Sequence, residues 1–540
     1  MKLQPIEQTC DVLLLGFEEW ENLGLRYIAA YLFQHGIQVK VLPLGGPKEE
    51  ILTIIKKEEP QIIGFSLIFQ RMLFDFSNLI EYFRAHDVQS HLTMGGHFPS
   101  SEPEAVMAAI PGLDSIVKGE GEETLLALFQ HRHQPDKWGQ IQGLVFRDSS
   151  NGSIIINPPR PKIQPLDSLP FPIRSVKLPY IRGLGLCSIL ASRGCYYDCS
   201  FCSIHTFYGD MPGPRRRARS PENVADEMER LFHKLGMHIF VFEDDDLFMR
   251  GRIQREWIDS LVHELHKLGI SKQIIFRVSC RVDDIDPEPI GKMMEAGLKS
   301  VYIGIESGNN QGLKTFNKHY TVDDIHQALA KLREIGITYE YGFMLLHPDA
   351  TFETVQQDIE FLKEISAYGD AVLQFTKMLP YSGTPINRRL KEESRLVGTL
   401  AEPDYKFLDS RLELFQLFLS EAFHVRNFDP KGLGERLRFA KLDVSLVEKF
   451  FSDQYESEDY AAAIRELIRR SNEEALEKMS MALHFMVDRS QEEIIEDWWI
   501  LEKLIYEEKV IEAKLSTALE WLMQQFGFEA ELHSEPVYGS

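Results

Sequence analysis

The sequence predicts an α/β protein built from a doubly wound parallel sheet, a partial (β/α) barrel and a C-terminal helical domain. Two runs of alternating strand and helix patterns, before residue 130 and from residue 186 to about 385, predict the first two parts. Long helical periodicity after about residue 400, with no strand pattern until the end, predicts the third. We place the domains at 1–149, 186–399 and 400–540, with a linker at 150–185.

Composition and charge narrow the class of protein. The chain has 540 residues, 44% of them hydrophobic, which is enough for several buried cores. Its net charge of -23 disfavours binding to nucleic acids or to anionic membranes. No apolar run approaches the ~20 residues of a membrane helix, and the N-terminus lacks the apolar core of a signal peptide. We therefore expect a cytoplasmic protein without a membrane span.

The first 130 residues contain five short apolar segments typical of buried strands. Amphipathic helices separate these segments, and the one at 24–36 ends in a glycine suited to a helix C-cap. The right-handed crossover rule makes the strands parallel, and ligands bind beyond their carboxyl ends. The strand segments are CDVLLLG (10–16), QVKVLPL (38–44), QIIGFSLIF (61–69), HLTMGG (91–96) and DSIVKG (114–119).

A proline-dense stretch at 150–185 with little periodicity leads into the second set of strands. Six parallel strands with helices on one face predict a partial or complete barrel whose chemistry lies on its C-terminal rim. The acidic helices after residue 400 are expected to cap this barrel or bind a partner. The strand segments are LCSILAS, HIFVFED, QIIFRVS, SVYIGIES, YEYGFMLL and AVLQFTK.

Three cysteines lie on the loop after the first of these strands. Cys195, Cys199 and Cys202 have the spacing C-x3-C-x2-C, and soft thiolate ligands select zinc, copper(I) or iron–sulfur. Zinc would take His205 as a fourth ligand, whereas a [4Fe–4S] cluster would leave one iron open. Unliganded thiols are the remaining alternative. The other three cysteines occur in apolar strands and are expected to be core residues.

This spacing, with Phe201 directly before the last cysteine, resembles the radical S-adenosylmethionine (SAM) superfamily. The resemblance implies that the three cysteines hold a [4Fe–4S] cluster whose fourth iron is chelated by SAM. It also implies reductive cleavage of SAM with electrons from a low-potential donor such as flavodoxin or ferredoxin.

Further segments match the superfamily in the expected order. FEDDDLF at 242–248 reads as a solvated acidic turn or, by resemblance, as the acidic SAM-binding motif. YIGIESGNN at 302–310 resembles the fifth-strand motif, and Arg281 matches by position. The resemblance implies these SAM contacts: Phe201, Asp245, Asp246, Arg281, Glu306 and Ser307.

A doubly wound domain ahead of such a barrel resembles the cobalamin-binding subclass. The resemblance implies that Ser66, Gly95 and Gly96 line the groove for the cofactor, where small residues permit a close approach of the backbone. The loop at 16–24, GFEEWENLG, lacks the Asp-x-His-x-x-Gly motif, so it supplies no histidine to the cobalt.

Together these resemblances imply a cobalamin-dependent methyltransferase that acts on an unactivated carbon of a small molecule or peptide. A cobalamin-associated ring contraction, cyclisation or deoxygenation is the alternative within the same chemistry. A non-catalytic iron–sulfur or zinc scaffold or sensor is the alternative outside it. No classical catalytic residue is assigned. The basic run at 214–220, PRRRARS, is expected either to bind one phosphate or carboxylate or to be a solvated approach to a helix.

Overall fold

The computed structural model describes residues 10–18, 21–148, 150–174 and 178–528. Residues 1–9, 19–20 and 149 of the first predicted domain, residues 175–177 of the predicted linker and residues 529–540 of the last predicted domain lie outside the described residues. Within the described part, no helix combines the length and the hydrophobicity that crossing a membrane requires.

The N-terminal sheet has seven strands in the order β2-β1-β3-β4-β5-β6-β7. The first five strands in the chain are parallel, whereas β6 and β7 pair antiparallel at the edge. The predicted doubly wound sheet is confirmed, but the sheet continues past residue 149 into β7. The strands are β1 (Val12–Gly16), β2 (Val39–Pro43), β3 (Ile62–Ser66), β4 (His91–Gly95), β5 (Ser115–Val117), β6 (Leu144–Arg147) and β7 (Ile154–Ile156).

Helices cover both faces of this sheet, as the continuous apolar strands require. Leu13 and Leu15 of β1 belong to one core, whereas Val12 and Leu14 belong to the core on the opposite face. The helices are α1 (Leu23–Gln34), α2 (Lys48–Glu58), α3 (Leu73–Ala85), α4 (His97–Ser101), α5 (Pro103–Ala109) and α6 (Glu122–Gln130).

The second sheet is an open half-barrel with the order β16-β15-β14-β13-β12-β9-β8. Six of its strands are parallel, and β8 adds an antiparallel edge. The partial barrel is therefore the form that the structure adopts. Its strands are β8 (Tyr180–Ile181), β9 (Leu184–Ile189), β12 (Met237–Phe242), β13 (Ile275–Arg281), β14 (Leu298–Glu306), β15 (Thr338–Leu346) and β16 (Thr376–Lys377), and a separate hairpin joins β10 (Ser192–Arg193) to β11 (Arg217–Ala218).

Helices pack on the convex face of the half-barrel and leave the concave face for other groups. Along β13, Phe276, Val278 and Cys280 belong to the core beneath these helices. Ser279 and Arg281 alternate with them and point to the concave face. The helices are α7 (Ser203–Gly209), α8 (Pro221–Leu235), α9 (Arg252–Lys267), α10 (Pro287–Glu295), α11 (Asn310–Thr315), α12 (Val322–Ile335), α13 (Phe352–Ser366) and α14 (Pro385–Glu392).

The C-terminal part begins with a two-stranded hairpin and continues as five helices. The hairpin of β17 (Leu396–Gly398) and β18 (Pro403–Tyr405) was not predicted from the sequence, which shows no strand pattern there. Leu437 and Val444 of the second of these helices share a core with Ile239 and Ile275, so this helix closes the amino-terminal end of the half-barrel interior. The helices are α15 (Arg411–Phe428), α16 (Leu433–Phe450), α17 (Ser457–Val487), α18 (Gln491–Glu496) and α19 (Trp499–Gln525).

Candidate functional site

The cysteine loop leaves the half-barrel after β10 and is held by hydrogen bonds on both sides. The amide of Ser200 donates to the carbonyl of Phe316 at 3.0 Å, and its hydroxyl donates to the carbonyl of Thr315 at 2.6 Å. Its own carbonyl accepts from the amide of Ile386 at 3.0 Å. The backbone of the loop is therefore fixed by α11 and α14, independently of any bound group.

The three thiols are half-buried at the rim of the half-barrel. Arg281 Nη1 lies 3.4 Å from the Cys199 sulfur, and the Arg281 guanidinium stacks 3.6 Å from the centroid of the Tyr197 ring. Burial raises the pKa of Cys195 to about 12 and that of Cys202 to about 11, so binding of a metal would release protons. Arg281 thus places a positive charge beside the Cys199 sulfur.

Three thiols on one loop form a donor set of the soft kind that zinc and iron–sulfur clusters prefer. In the described ranges, no three His, Cys, Asp or Glu side chains converge on a point where a single ion would be held. The alternative of a mononuclear zinc site completed by His205 is thus not formed in this arrangement. An iron–sulfur cluster does not require the sulfurs to converge, because its cysteines bind different irons.

Three of the four carboxylates in the acidic turn after β12 accept hydrogen bonds from neighbouring segments, and the fourth does not. Glu243 accepts from the Ser188 hydroxyl at 3.0 Å, and Asp244 accepts from the amide of Ala191 at 3.0 Å. Asp245 accepts from the amide of Gly194 at 3.1 Å, directly before the first cysteine. These three carboxylates are thus engaged in holding β9 and the cysteine loop.

Asp246 is the exception in this turn. It is 1% exposed, and neither of its carboxylate oxygens has a hydrogen-bond partner among the described residues. Burial and the neighbouring carboxylate of Asp284 raise its pKa well above the ordinary value. Because a buried carboxylate without a donor is costly, Asp246 is the carboxylate here that is available to a cationic ligand. The alternative of a solvated turn does not hold for Asp244 or Asp246, which are buried.

The predicted residues at the end of β14 have different surroundings. Glu306 has a φ of +69°, in the left-handed region, and its Oε1 accepts from the buried Lys318 ammonium at 3.2 Å. Ser307 is fully buried, and its hydroxyl donates to Asp358 of α13 at 3.0 Å. Glu306 therefore lies at the rim, whereas Ser307 holds the turn beneath it. A contact of either residue with SAM stays a prediction.

Phe201 packs against the protein rather than standing free. Its ring meets that of Phe316 edge-on with 5.4 Å between centroids, and the Lys318 ammonium lies 5.8 Å from its centroid. A contact of Phe201 with SAM likewise stays a prediction.

The three predicted cobalamin residues lie at the carboxyl edge of the N-terminal sheet. Gly16, Ser66 and Gly95 are paired in register across β1, β3 and β4, next to the switch point between β1 and β3. This row of small residues fits a ligand that approaches the backbone closely. Gly96 follows with a φ of +110°, and a Cβ there would lie 2.5 Å from the carbonyl oxygen of Leu67, so the fold itself requires this glycine.

The loop between β1 and α1 is used for docking. Glu21 forms an ion pair with Arg174 at 2.9 Å and accepts from the amide of Ser188 in β9 at 3.3 Å. Glu18 pairs with Arg26 at the start of α1. Through Glu21, the loop that lacks the histidine motif therefore contacts β9 of the half-barrel.

The carboxyl edges of the two sheets face each other. The ring of His97 in α4 lies 4.5 Å from the ring of Phe207 in α7, which follows the last cysteine. Gln70, after β3, donates to the hydroxyl of Ser382 at 2.7 Å and accepts from its amide at 3.1 Å. A ligand on the N-terminal sheet would thus sit opposite the cysteine loop.

Two of the four arginines in the basic run at 214–220 form buried ion pairs. Arg217 pairs with Glu120 at 2.8 Å, and Arg219 pairs with Glu227 at 2.5 Å. All four of these side chains are buried. The interpretation of this run as an anion site or a solvated approach is wrong for both arginines, because the sequence pattern did not reveal their distant carboxylates.

Two functional candidates were missed by the sequence analysis. Asp284, which faces Asp246 and accepts from the Tyr197 hydroxyl at 3.1 Å, follows the matched Arg281 by three positions and was within reach of a motif-based search. Lys318, the partner of Glu306, lies between two helices in a segment without a recognisable pattern.

Comparison with known proteins agrees with this geometry. Residues 13–129 match the B12 binding domain, and residues 189–362 match the Radical SAM superfamily. An uncharacterized methyltransferase of Pyrococcus horikoshii is 28% identical over 83% of this chain and 93% of its own. The anaerobic magnesium-protoporphyrin IX monomethyl ester cyclase of Cereibacter sphaeroides is 27% identical over 56% of this chain and 48% of its own.

A solved structure extends the likeness to almost the whole chain. The cobalamin-dependent S-adenosylmethionine radical enzyme OxsB, with aqua-cobalamin and S-adenosylmethionine bound, superimposes with a TM-score of 0.70 at 18% identity. The match covers 97% of this chain and 82% of OxsB, which establishes a shared fold.

Proposed function

This chain belongs to the radical SAM superfamily and carries an N-terminal B12 binding domain, and on that premise we propose that it methylates an unactivated carbon of a small molecule or peptide. The family, the fold class and the cofactors predicted from the sequence, namely a [4Fe–4S] cluster, SAM and cobalamin, are confirmed. The chain is a radical SAM enzyme.

The observation that carries the proposal is the opposition of the two carboxyl edges. The contact of His97 with Phe207 and the paired hydrogen bonds of Gln70 with Ser382 hold the small-residue row of the N-terminal sheet over the cysteine loop. A methyl group carried on the first sheet and a radical generated at the second would meet in the space between them. Orienting two reactants in this way is the main contribution that a protein makes to such a transfer.

The residues of the chain would divide the work as follows. When bound, the cluster and cobalamin supply the electron that cleaves SAM and the carrier for its methyl group. Cys195, Cys199 and Cys202 would ligate the cluster, with Arg281 balancing the negative charge at Cys199. Asp246, buried and without a donor, would accept hydrogen bonds from the SAM ammonium.

The electrons would come from a separate low-potential protein such as flavodoxin or ferredoxin, in the cytoplasm. The remaining cysteines, Cys10, Cys187 and Cys280, are buried singly in apolar cores, so the chain offers no second cysteine cluster to relay electrons.

The test uses full-length protein reconstituted without oxygen with iron, sulfide and hydroxocobalamin. We expect iron–sulfur absorption, retained corrinoid bands, 5′-deoxyadenosine on addition of SAM and dithionite, and transfer of label from methyl-deuterated SAM to the corrinoid fraction. Cys199→Ala should lose the iron–sulfur absorption and the deoxyadenosine but keep the corrinoid. Retained cluster and corrinoid without transfer of label would contradict methyl transfer.

A second candidate is a cobalamin-associated cyclisation or rearrangement, which the similarity to the magnesium-protoporphyrin cyclase supports. It predicts deoxyadenosine without label in the corrinoid. A non-catalytic scaffold predicts neither product.

A further inference from the structure

One arginine on the concave face of the half-barrel has an unusual position. Arg277 lies in the middle of β13, and its neighbours Phe276 and Val278 belong to the core beneath the outer helices. Alternation along the strand therefore points Arg277 into the half-barrel, where its side chain is exposed. Ile275, two residues earlier, packs in the core that α16 closes. Arg277 thus stands just above the closed end of the interior.

The charged groups around Arg277 are occupied by other partners. Glu243, after the adjacent strand β12, accepts from the hydroxyl of Ser188 at 3.0 Å. The guanidinium of Arg277 forms no hydrogen bond or ion pair with any residue that the structure describes. The ion pairs on the concave side of the strands and on α16 are Lys441 with Glu340, Lys318 with Glu306 at 3.2 Å, Arg281 with Asp283 at 2.9 Å and Arg438 with Glu435 at 2.6 Å.

Two further donors lie beside this free guanidinium. The guanidinium carbon of Arg277 is 5.3 Å from the centroid of the Tyr302 ring on the neighbouring strand β14. Arg438 of α16 lies near enough to act on the same phenol, and its Nη1 is buried without a hydrogen-bond partner among the described residues. Donors from β13, β14 and α16 therefore surround one region. The two carboxylates that also act on this phenol, Glu306 and Glu340, are each paired with a lysine, namely Lys318 and Lys441.

We propose that Arg277, Arg438 and the Tyr302 hydroxyl form a receptor for an oxyanion of the substrate, either a carboxylate or a phosphate group. The inference rests on the proposed function, since it names the substrate class for the same half-barrel. An arginine fork is suited to such groups because two parallel N–H donors match their oxygens. In a chain with a net charge of -23, an unneutralised guanidinium in the interior provides local attraction for an anion that the rest of the surface would repel.

The depth of the receptor limits the shape of the substrate. Arg277 and Arg281 are four residues apart on β13, which corresponds to about 13 Å along an extended strand. Arg281 contacts the Cys199 sulfur at the rim. The anionic end would thus be held about 13 Å below the rim, so we infer an extended substrate whose anion lies far from its reacting carbon.

Arginine-selective labelling of the reconstituted full chain tests this receptor without requiring turnover. The rate of phenylglyoxal modification at Arg277 is followed by peptide mass spectrometry with inorganic phosphate, with acetate and with neither. Arg470, an exposed arginine of α17 without an ion pair among the described residues, serves as the internal control. At an anion concentration ten times the dissociation constant, labelling of Arg277 should slow about tenfold, while that of Arg470 stays unchanged.

A variant that keeps Arg277 tests the rest of the receptor. Tyr302→Phe removes one neutral hydrogen bond and should raise the protecting concentration about three- to tenfold. The anion that protects at the lower concentration distinguishes a phosphate from a carboxylate substrate. Equal labelling of Arg277 with and without both anions, or equal protection of Arg470, would overturn the proposal. Neither result depends on methyl transfer, so failure of the receptor and failure of the proposed function are separable.

Discussion

A buried ion cluster between the N-terminal sheet and the half-barrel allows a quantitative test of how the two are held together. Glu120, which follows β5, accepts from Arg217 at 2.8 and 2.9 Å and from Arg193 at 3.1 Å. Its second oxygen also accepts from the amide of Ile163 at 2.8 Å. The side chains of Glu120, Arg193 and Arg217 are only 5%, 9% and 4% exposed, so solvent screens these charges weakly.

The change Glu120→Gln keeps the shape and one acceptor but leaves two buried guanidinium groups with less counter-charge. Removing one partner of a buried ion pair costs about 3–5 kcal/mol in the free energy of unfolding, because the remaining charge stays desolvated. The matched control is Glu123→Gln, a few residues along the chain. Glu123 pairs with Arg160 at 3.0 Å but is 42% exposed, so its loss should cost less than about 1 kcal/mol.

Urea unfolding monitored by near-ultraviolet circular dichroism would distinguish the two variants. With a denaturant slope of about 3 kcal/mol per molar, Glu120→Gln should lower the midpoint by about 1–2 M, and Glu123→Gln by less than about 0.4 M. Equal midpoints for the two variants would refute the argument that burial makes this carboxylate a structural counter-charge.

Three further outcomes follow from the same geometry. The pKa of Glu120 lies below its ordinary value, since the two arginines outweigh the effect of burial. The stabilisation by Glu120 should therefore be complete above the unfolded-state pKa of about 4.3 and be lost as the pH falls through the folded-state pKa. Below about pH 4, the urea midpoint of the native protein should then fall more steeply than that of Glu120→Gln. Asp246→Asn should weaken SAM binding to the reconstituted protein about tenfold in equilibrium dialysis, whereas Asp245→Asn, which can still accept from the amide of Gly194, should change it little. Gly96→Ala should cost about 1–3 kcal/mol and reduce corrinoid retention, because its Cβ would lie 2.5 Å from a backbone oxygen, whereas Gly139→Ala, with open space around it, should be neutral in both assays.

Local patterns predicted most of the fold because its strands are buried on both faces or on one. The apolar runs of β1, β3 and β4 appear in the sequence as uninterrupted segments, and the structure places them as predicted. Ile154–Ile156 was assigned to the linker because the prolines that follow it dominate the local pattern. Its strand conformation depends on antiparallel pairing with β6, which is a tertiary effect. The hairpin at Leu396–Tyr405 was not predicted either, because its strands have three residues each and depend on pairing with one another.

The site was predictable where a spacing fixes chemistry and unpredictable where the partner is remote in sequence. The three cysteines and Arg281 were identified from the chain, although no spacing indicated that Arg281 would contact Cys199. The four carboxylates of the acidic turn look equivalent in the sequence. The structure alone separates Asp246 from Asp244, because the hydrogen bonds to Asp244 come from Ala191 and Ser192, which follow β9 and are remote from this turn in the sequence.

The absence of the Asp-x-His-x-x-Gly motif from the loop after β1 has a physical explanation in the contacts that this loop makes. A histidine ligand would require this loop to reach into the groove of the N-terminal sheet, yet Glu21 extends to the amide of Ser188 and to Arg174 at the edge of β9. Arg174 in turn pairs with Glu227 of α8, so the loop belongs to a buried network that spans both sheets. The same residues therefore fix the distance between the carboxyl edge of the N-terminal sheet and the cysteine loop. Replacing this docking with a metal ligand would weaken the orientation on which transfer between the two edges depends.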